Sequence, residues 1–393
     1  MDSTMERSSN IIDLPNEVLV DILSRLAVQH VHQLQAVSKL WLRTISSPHF
    51  RRLYNKKSLN RPRARVVQVS DYKHSPSGME MISRTISIST MDLAVDNNEI
   101  QKDFSFEDII APEHSFFIFS NLIIFNHKVC NPTTKEIKGL PISSYPSVSF
   151  DVAYIPSNNT YKIVHLYGTK TGPNYNFNYG GSAVEFRFET LTLRDGGPIP
   201  SSWQSLAHQE WFSYKVHSTC VNNVIYWLVG RVDRMEKHII SMEIETEEFL
   251  SSVCCPKDPY YEEFPLIENG ELADLNGKLC LAYQSEELSR IDLYVLKDHK
   301  KQEWVKEHII NFGIGSLFNV IGYVPLKGNN GEIMIDSGKQ PLLYNIEEKR
   351  LRKLPRPKMK IHIGLYIDRC FNLGSARLSL QPRVDLLSEG DQL

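Results

Sequence analysis

The chain has 393 residues and a formal net charge of −2, so no global electrostatic attraction to nucleic acid or anionic lipid is expected. A hydrophobic content of 41% is enough to bury a sizeable core, and the length suits two or three domains or one large repeat fold. No apolar run approaches the roughly 20 residues that cross a bilayer, and the opening "MDSTMERSSN" lacks the layout of a signal peptide. These features predict a cytoplasmic or nuclear protein that binds neither membrane nor nucleic acid. Cys130, Cys220, Cys254, Cys255, Cys280 and Cys370 include no C-x-x-C pair. They are expected as reduced thiols, with no metal and no cofactor implied.

Residues 1–9 are predicted to be disordered. Beyond them, in "DLPNEVLVDILSRL", Leu14, Val18, Ile22 and Leu26 recur every four residues, with Leu19 and Leu23 as a second stripe beside them. Pro15 suits a first helical turn, Glu17 favours the positive end of the helix dipole, and Asp13 or Leu14 is the expected N-cap. A second helix is predicted from the stripe Val31, Leu34, Val37, Trp41, Leu42 and Ile45, ended by Pro48. A short third element carries Phe50, Leu53 and Tyr54. Three helices in about 45 residues are near the lower size limit for independent stability. Their stripes are also wider than so small a core requires, so a partner is expected to cover the surplus face.

The stretch "LPNEVLVDILSRL…VHQLQAVSKLWLRTISSPHF" resembles an F-box, the helical module that docks on the Skp-family adaptor of cullin-based ubiquitin ligases. The match covers Leu14-Pro15, Glu17-Val18-Leu19, Ile22-Leu23, Leu26, Val37-Ser38-Lys39, Trp41 and Ser47-Pro48 with Phe50. Ala27 and Ala36 stand where the family often has Pro and Cys, substitutions that add neither charge nor bulk. The resemblance implies adaptor contacts at Leu14, Pro15, Val18, Ile22, Leu26, Val37, Trp41 and Leu42, within an F-box spanning residues 10–55. A cullin would be reached through the adaptor.

Residues 56–65 read as a basic linker, part of "RRLYNKKSLNRPRAR", which carries seven Lys or Arg and no acid. A solvated helix end is the favoured reading, with a nuclear-import or nucleic-acid patch as the alternative. From residue 66 to 372 the pattern changes to short β runs separated by Pro, Gly, Asn and Asp. A strand, charged turn, strand phrase recurs, with its turns near Lys135, Asp195, Thr246, His299 and Glu348, about 50 to 60 residues apart. That spacing is close to the roughly 50-residue kelch period of propeller blades. Each phrase would supply the outer hairpin of a blade, and segments such as "FDVAYIPSNNTYKIVHLYG" and "ELADLNGKLCLAYQ" the inner one. Asn222-Asn223 and Asn276-Gly277 are favourable hairpin turns. Ring closure requires "RVVQVS" and "RTISISTMDL" to share a sheet with a late strand such as "IHIGLYID". The fold class is therefore α+β multidomain: a three-helix F-box, then an all-β, kelch-like propeller of about six irregular blades. A two-sheet sandwich is the alternative for the body, and residues 373–393 are expected as a flexible tail.

The body also resembles the F-box-associated interaction domain of plant F-box proteins, through "NPTTKEIKGLP", "FDVAYIPSNNTYKIVHL", "CVNNVIYWLV", "LADLNGKLCLAYQ" and "IGYVPLKGNNGEIMI". That resemblance implies a substrate-recognition subunit whose body binds an unidentified protein target. Two stretches have the aromatic content of recognition loops: "GPNYNFNYGG", with Tyr175, Phe177 and Tyr179, and "KDPYYEEFPLIE", with Tyr260, Tyr261 and Phe264. Both also fit ordinary blade connections whose aromatics cover the core. No nucleophile elbow, P-loop or zinc-helix motif occurs, and Gly313 and Gly315 form a lone G-x-G. No catalytic residue is predicted. A propeller enzyme, a carbohydrate-binding protein and an adaptor-binding scaffold that delivers nothing for degradation are the competing readings.

Overall fold

A computed structural model describes residues 15–58, 63–70, 83–93, 100–109, 116–119, 121–143, 147–171, 184–212, 214–231, 236–256, 270–285, 289–312, 318–326, 331–338, 340–355, 361–367 and 369–373. The first of these segments forms four helices: α1 (Asn16–Leu23), α2 (Val28–Leu34), α3 (Lys39–Ser46) and α4 (Pro48–Ser58). Leu19, Val20, Leu23, Val28, Val31, Ile45, Phe50 and Tyr54 close into one buried apolar cluster.

The predicted count of three helices is corrected to four, because the stripe from Val31 to Ile45 is interrupted. After Leu34 the backbone tightens into i to i+3 bonds, with Val37 N–H donating to the Leu34 carbonyl at 3.1 Å. Ser38 then starts α3 afresh, its extended backbone placing Oγ 3.2 Å from the Trp41 N–H. Pro48 both ends α3 and opens α4, where its missing N–H costs nothing. The cap of α1 also moves: Pro15 holds that position, its carbonyl accepting from Val18 and Leu19 at 2.9 and 3.1 Å. Asp13 and Leu14, like the segment 1–9, lie outside the described residues.

The remaining elements are strands. The first sheet contains β1 (Arg63–Ser70), β2 (Ser83–Asp92) and β3 (Ile100–Ile109). The second contains β4 (Phe117–Phe119), β5 (Leu122–Phe125), β6 (Lys128–Asn131) and β7 (Glu136–Gly139). The third contains β8 (Ser147–Ile155), β9 (Thr160–Thr171), β10 (Val184–Arg194) and β11 (Gln204–Phe212). The fourth contains β12 (Tyr214–Val221), β13 (Val224–Arg231), β14 (Glu236–Glu243) and β15 (Glu248–Cys254). The fifth contains β16 (Gly270–Asp274), β17 (Leu279–Ser285), β18 (Arg290–Asp298) and β19 (Glu303–Asn311). The sixth contains β20 (Asn319–Pro325), β21 (Gly331–Asp336), β22 (Pro341–Asn345) and β23 (Arg350–Lys353). The last strand, β24 (Ile361–Tyr366), pairs antiparallel with β1, from Arg63 opposite Tyr366 to Gln68 opposite Ile361, and completes the first sheet. The described strands thus form six four-stranded sheets.

Every strand with two covered faces sends alternate residues to opposite sides. On β13, Ile225, Trp227 and Val229 enter the cluster shared with the third sheet, while Leu228 enters the cluster shared with the fifth. Parallel arguments assign one apolar cluster to each of the other contacts: fifth with sixth, sixth with first, first with second, and second with third. Six sheets with six interfaces form a closed ring, because an open stack of six has five. This closure excludes the sandwich, and it leaves only short edges exposed. The first strand of each sheet lies innermost, β4, β8, β12, β16, β20 and β24 packing in succession. Gly364 on β24 permits one of those approaches, since a Cβ there would stand 2.8 Å from Ile118 Cβ on β4.

The repeat phrases map onto this ring. The turns at Lys135, Asp195, Thr246, His299 and Glu348 each join the third and fourth strands of a sheet. Asn222 and Asn223 take φ of 49° and 65° between β12 and β13, the left-handed pair that a tight hairpin needs. Turns between first and second strands and those between third and fourth strands open on the same face. Cross-sheet bonds confirm it: Asn222 Nδ2 donates to the Gly277 carbonyl at 2.7 Å, and Ser157 Oγ to Glu245 at 3.2 Å. The remaining connections leave from the opposite face.

Candidate protein-docking surfaces

On α1 the apolar residues divide into two groups. Leu19, Val20 and Leu23 are buried, whereas Val18 and Ile22, one turn apart, stay 43% and 44% exposed. Beyond α2 the same thing recurs: Val37, Leu40 and Leu42 are 61%, 49% and 46% exposed. Pro15 is exposed as well, while Leu26 and Trp41 are partly buried against the helical cluster. Asn16 Oδ1 accepts from Thr44 Oγ1 at 3.3 Å, tying the start of α1 to α3. Among the described residues, this small unit thus leaves five large aliphatic side chains in water. Leu14, also predicted as an adaptor contact, lies outside the described residues. Leu40 was not among the predicted contacts, because reading α2 and α3 as one helix sets it off the apolar stripe.

The basic stretch is used partly from within. Lys57 Nζ bonds Asp21 Oδ1 at 2.9 Å and Ser24 Oγ at 2.8 Å, which pins α4 to α1. Together with Arg25, Lys57 holds the exposed Asp21 carboxyl below its usual range. Tyr54 OH donates to the Leu26 carbonyl at 2.9 Å. Arg51 pairs with Asp195, in the turn between β10 and β11, both side chains mostly buried. The helix runs to Ser58 and β1 begins at Arg63, so both ends of the expected linker 56–65 are regular structure.

The six proposed target-binding aromatics, Tyr175, Phe177, Tyr179, Tyr260, Tyr261 and Phe264, lie outside the described residues. The strands that flank them are described. Thr171 pairs with Val184 across the mouth of the first segment, and β15 and β16 bracket the second. Those strand ends belong to the face opposite the turns that receive α4. All six cysteines are free, and burial pushes the Cys220 and Cys255 thiols up to about 12, the range of an unreactive thiol.

A small helical unit with exposed aliphatic side chains, mounted on a ring of four-stranded sheets, defines a two-part protein with a propeller body. The chain belongs to the F-box associated beta propeller domain family, whose sequence pattern matches residues 73–362, and an F-box-like pattern matches residues 11–56. Its relatives include the F-box/kelch-repeat protein At3g04660 of Arabidopsis thaliana, 27% identical over 371 residues and 87% of each chain. F-box protein At5g65850 of the same plant is 23% identical, covering 93% of this chain and 91% of its own. F-box protein At3g49450 is 27% identical over 63% of this chain, and the match spans 62% of that relative's length. F-box proteins are generally non-catalytic substrate receptors.

Proposed function

We propose that this chain is the substrate-recognition subunit of a Skp–cullin–F-box type ubiquitin ligase, acting in the cytosol or nucleus. Its helical unit binds the Skp-family adaptor, and through it a cullin, while the propeller holds a protein target. The observation that carries this reading is the exposed set Val18, Ile22, Val37, Leu40 and Leu42 on a unit that buries or half-buries its other described large apolar residues. Ubiquitin transfer then requires no catalytic residue here, because holding target and loaded enzyme together raises their effective concentration. The two aromatic segments at 172–181 and 257–268 are the proposed target contacts. Their flanking strands end on the face away from α4, which leaves that face open while an adaptor is engaged.

Affinity capture of the chain from cells with the proteasome inhibited tests this. Recovery of the adaptor together with a ubiquitin-bearing protein is expected. Absence of the adaptor would refute the F-box role, and an adaptor without any ubiquitin-bearing companion would favour a scaffold. Replacing Tyr175, Phe177 and Tyr179 by Ala is expected to lose the companion and keep both the adaptor and the melting temperature.

A further inference from the structure

None of the described residues that follow β24 joins a sheet, yet Arg369–Leu373 is among the most buried of the described parts. Its side chains face two ways. Cys370, 3% exposed, sits in the apolar cluster of the helical unit. Phe371 and Leu373, fully buried, enter the cluster between the second and third sheets of the ring. One short run of chain therefore contributes to the cores of both parts.

From Cys370 to Leu373 each residue has a bonded backbone group. Cys370 N–H donates to Asn55 Oδ1 on α4 at 2.8 Å, and Asn131 Nδ2 donates to the Phe371 carbonyl at 2.7 Å. Asn372 N–H donates to Asp195 Oδ1 at 2.9 Å, and Gly196 N–H donates to the Asn372 carbonyl at 2.8 Å. Leu373 N–H donates to Glu136 Oε2 at 3.0 Å. The Arg369 guanidinium lies 3.8 Å from the Tyr154 ring centroid.

The same groups receive α4. Arg51 and Asn55 stand one helical turn apart on one side of that helix. Arg51 pairs with Asp195, and Asn55 Nδ2 donates to Tyr154 OH at 2.7 Å. Tyr154 OH donates to Asn159 Oδ1 at 2.7 Å, and Asn159 Nδ2 donates to Asp195 Oδ2 at 2.7 Å. Asp195 and Asn55 thus each bond both α4 or its ring partner and the terminal segment. A buried network of this kind has one satisfied geometry, since any rotation of the helical unit leaves Asp195 or Arg51 buried without its counter-charge.

We infer that the network of Arg51, Asn55 and Asp195, with the Arg369–Leu373 backbone bound into it, is a clasp that locks the helical unit in one orientation on the ring. A segment that follows the last strand of the ring thereby helps set the direction in which an adaptor bound to the helical unit faces the propeller. The clasp stands apart from the ligase reading, and its test contains no adaptor.

The test places ketone-bearing residues at exposed Gln33 on α2 and Glu303 on β19, attaches spin labels, and measures their distance distribution in the full chain by pulsed electron paramagnetic resonance. A single narrow peak is expected. In Arg51→Ala/Asn55→Ala, made on the helix side, and in Asp195→Ala, made on the ring side, the width is expected to at least double while the melting of the ring stays within a few degrees. A broad distribution in the unaltered chain overturns the clasp, as does a narrow one in both variants. If both variants unfold the ring, the network serves the ring's own stability and the proposal fails.

Discussion

Ile22 and Leu23 are neighbours on α1, and replacing them is expected to damage different properties. Leu23 is 0% exposed at the centre of the helical cluster. Its truncation to Ala is expected to cost about 2–5 kcal/mol. At roughly 0.05–0.15 kcal/mol per residue, a unit of about 45 residues holds only about 2–7 kcal/mol in total, so Leu23→Ala leaves it marginal or unfolded. Ile22 and Val18 lie outside that cluster, with 44% and 43% of their surfaces in water. Covering an aliphatic side chain completely is worth about 1.5–3 kcal/mol, so covering these two remainders together is worth about 1.3–2.6 kcal/mol. That corresponds to about 10- to 70-fold in Kd. Titrating purified Skp-family adaptor into the full chain by calorimetry, beside a circular-dichroism melt, separates the two effects. Val18→Ala/Ile22→Ala is expected to weaken adaptor binding by about that factor with the melt unchanged. A change below threefold with intact folding would refute the assignment of this surface. So would a melt for the double variant as damaged as that of Leu23→Ala.

Gly364→Ala tests closure of the ring. The new methyl would meet Ile118 Cβ and Cγ2 at 2.8 Å, with the Ile118 carbonyl oxygen at 3.5 Å, so β24 and β4 must part. Overpacking of this kind costs about 1–3 kcal/mol, a drop of several degrees in the melting of the ring, and an unchanged Tm would show that the inner strands are not in contact there. Glu271 on β16 supplies a pH dependence. Burial, helped by the nearby Asp336 and opposed by the bond from Val320 N–H at 2.9 Å, pushes its carboxyl from 4.5 up to about 7. The folded state therefore holds this proton more tightly than the unfolded chain does. The group's contribution is fully present below about 4.5 and is lost as pH rises through about 7. Glu271→Gln keeps an acceptor for Val320 and stays neutral, so it is expected to stabilise the ring at pH 8 by on the order of 3 kcal/mol and to change little at pH 4. Equal effects at both pH values would refute the burial of that carboxylate.

Much of this architecture was legible because it is written in local geometry. The turns at Lys135, Asp195, Thr246, His299 and Glu348 recur at blade spacing because a hairpin is specified by a few adjacent residues, and each joins third and fourth strands. The pairing of β1 with β24 followed from the requirement that a ring close. The apolar stripes of the first helix were wider than so small a core requires, and Val18 and Ile22 are residues of those stripes that stay exposed. The break between α2 and α3 was hidden, because Val31, Leu34, Trp41 and Ile45 keep helical spacing across a turn made by Ser38. Asp195, in an Asp-Gly-Gly turn, read as one more solvated hairpin, whereas it accepts bonds from α4 and from the terminal segment.

By itself, then, the sequence determined which residues turn, which alternate and which helix faces carry too much apolar surface, since these depend on neighbours a few positions away. Tertiary structure alone decided how the helices sit on the ring. Asn55 and Cys370 meet across 315 residues, and Leu373, expected at the head of a flexible tail, is buried between two sheets. No local pattern distinguishes such residues, because their burial is set by partners that only the closed ring brings within reach.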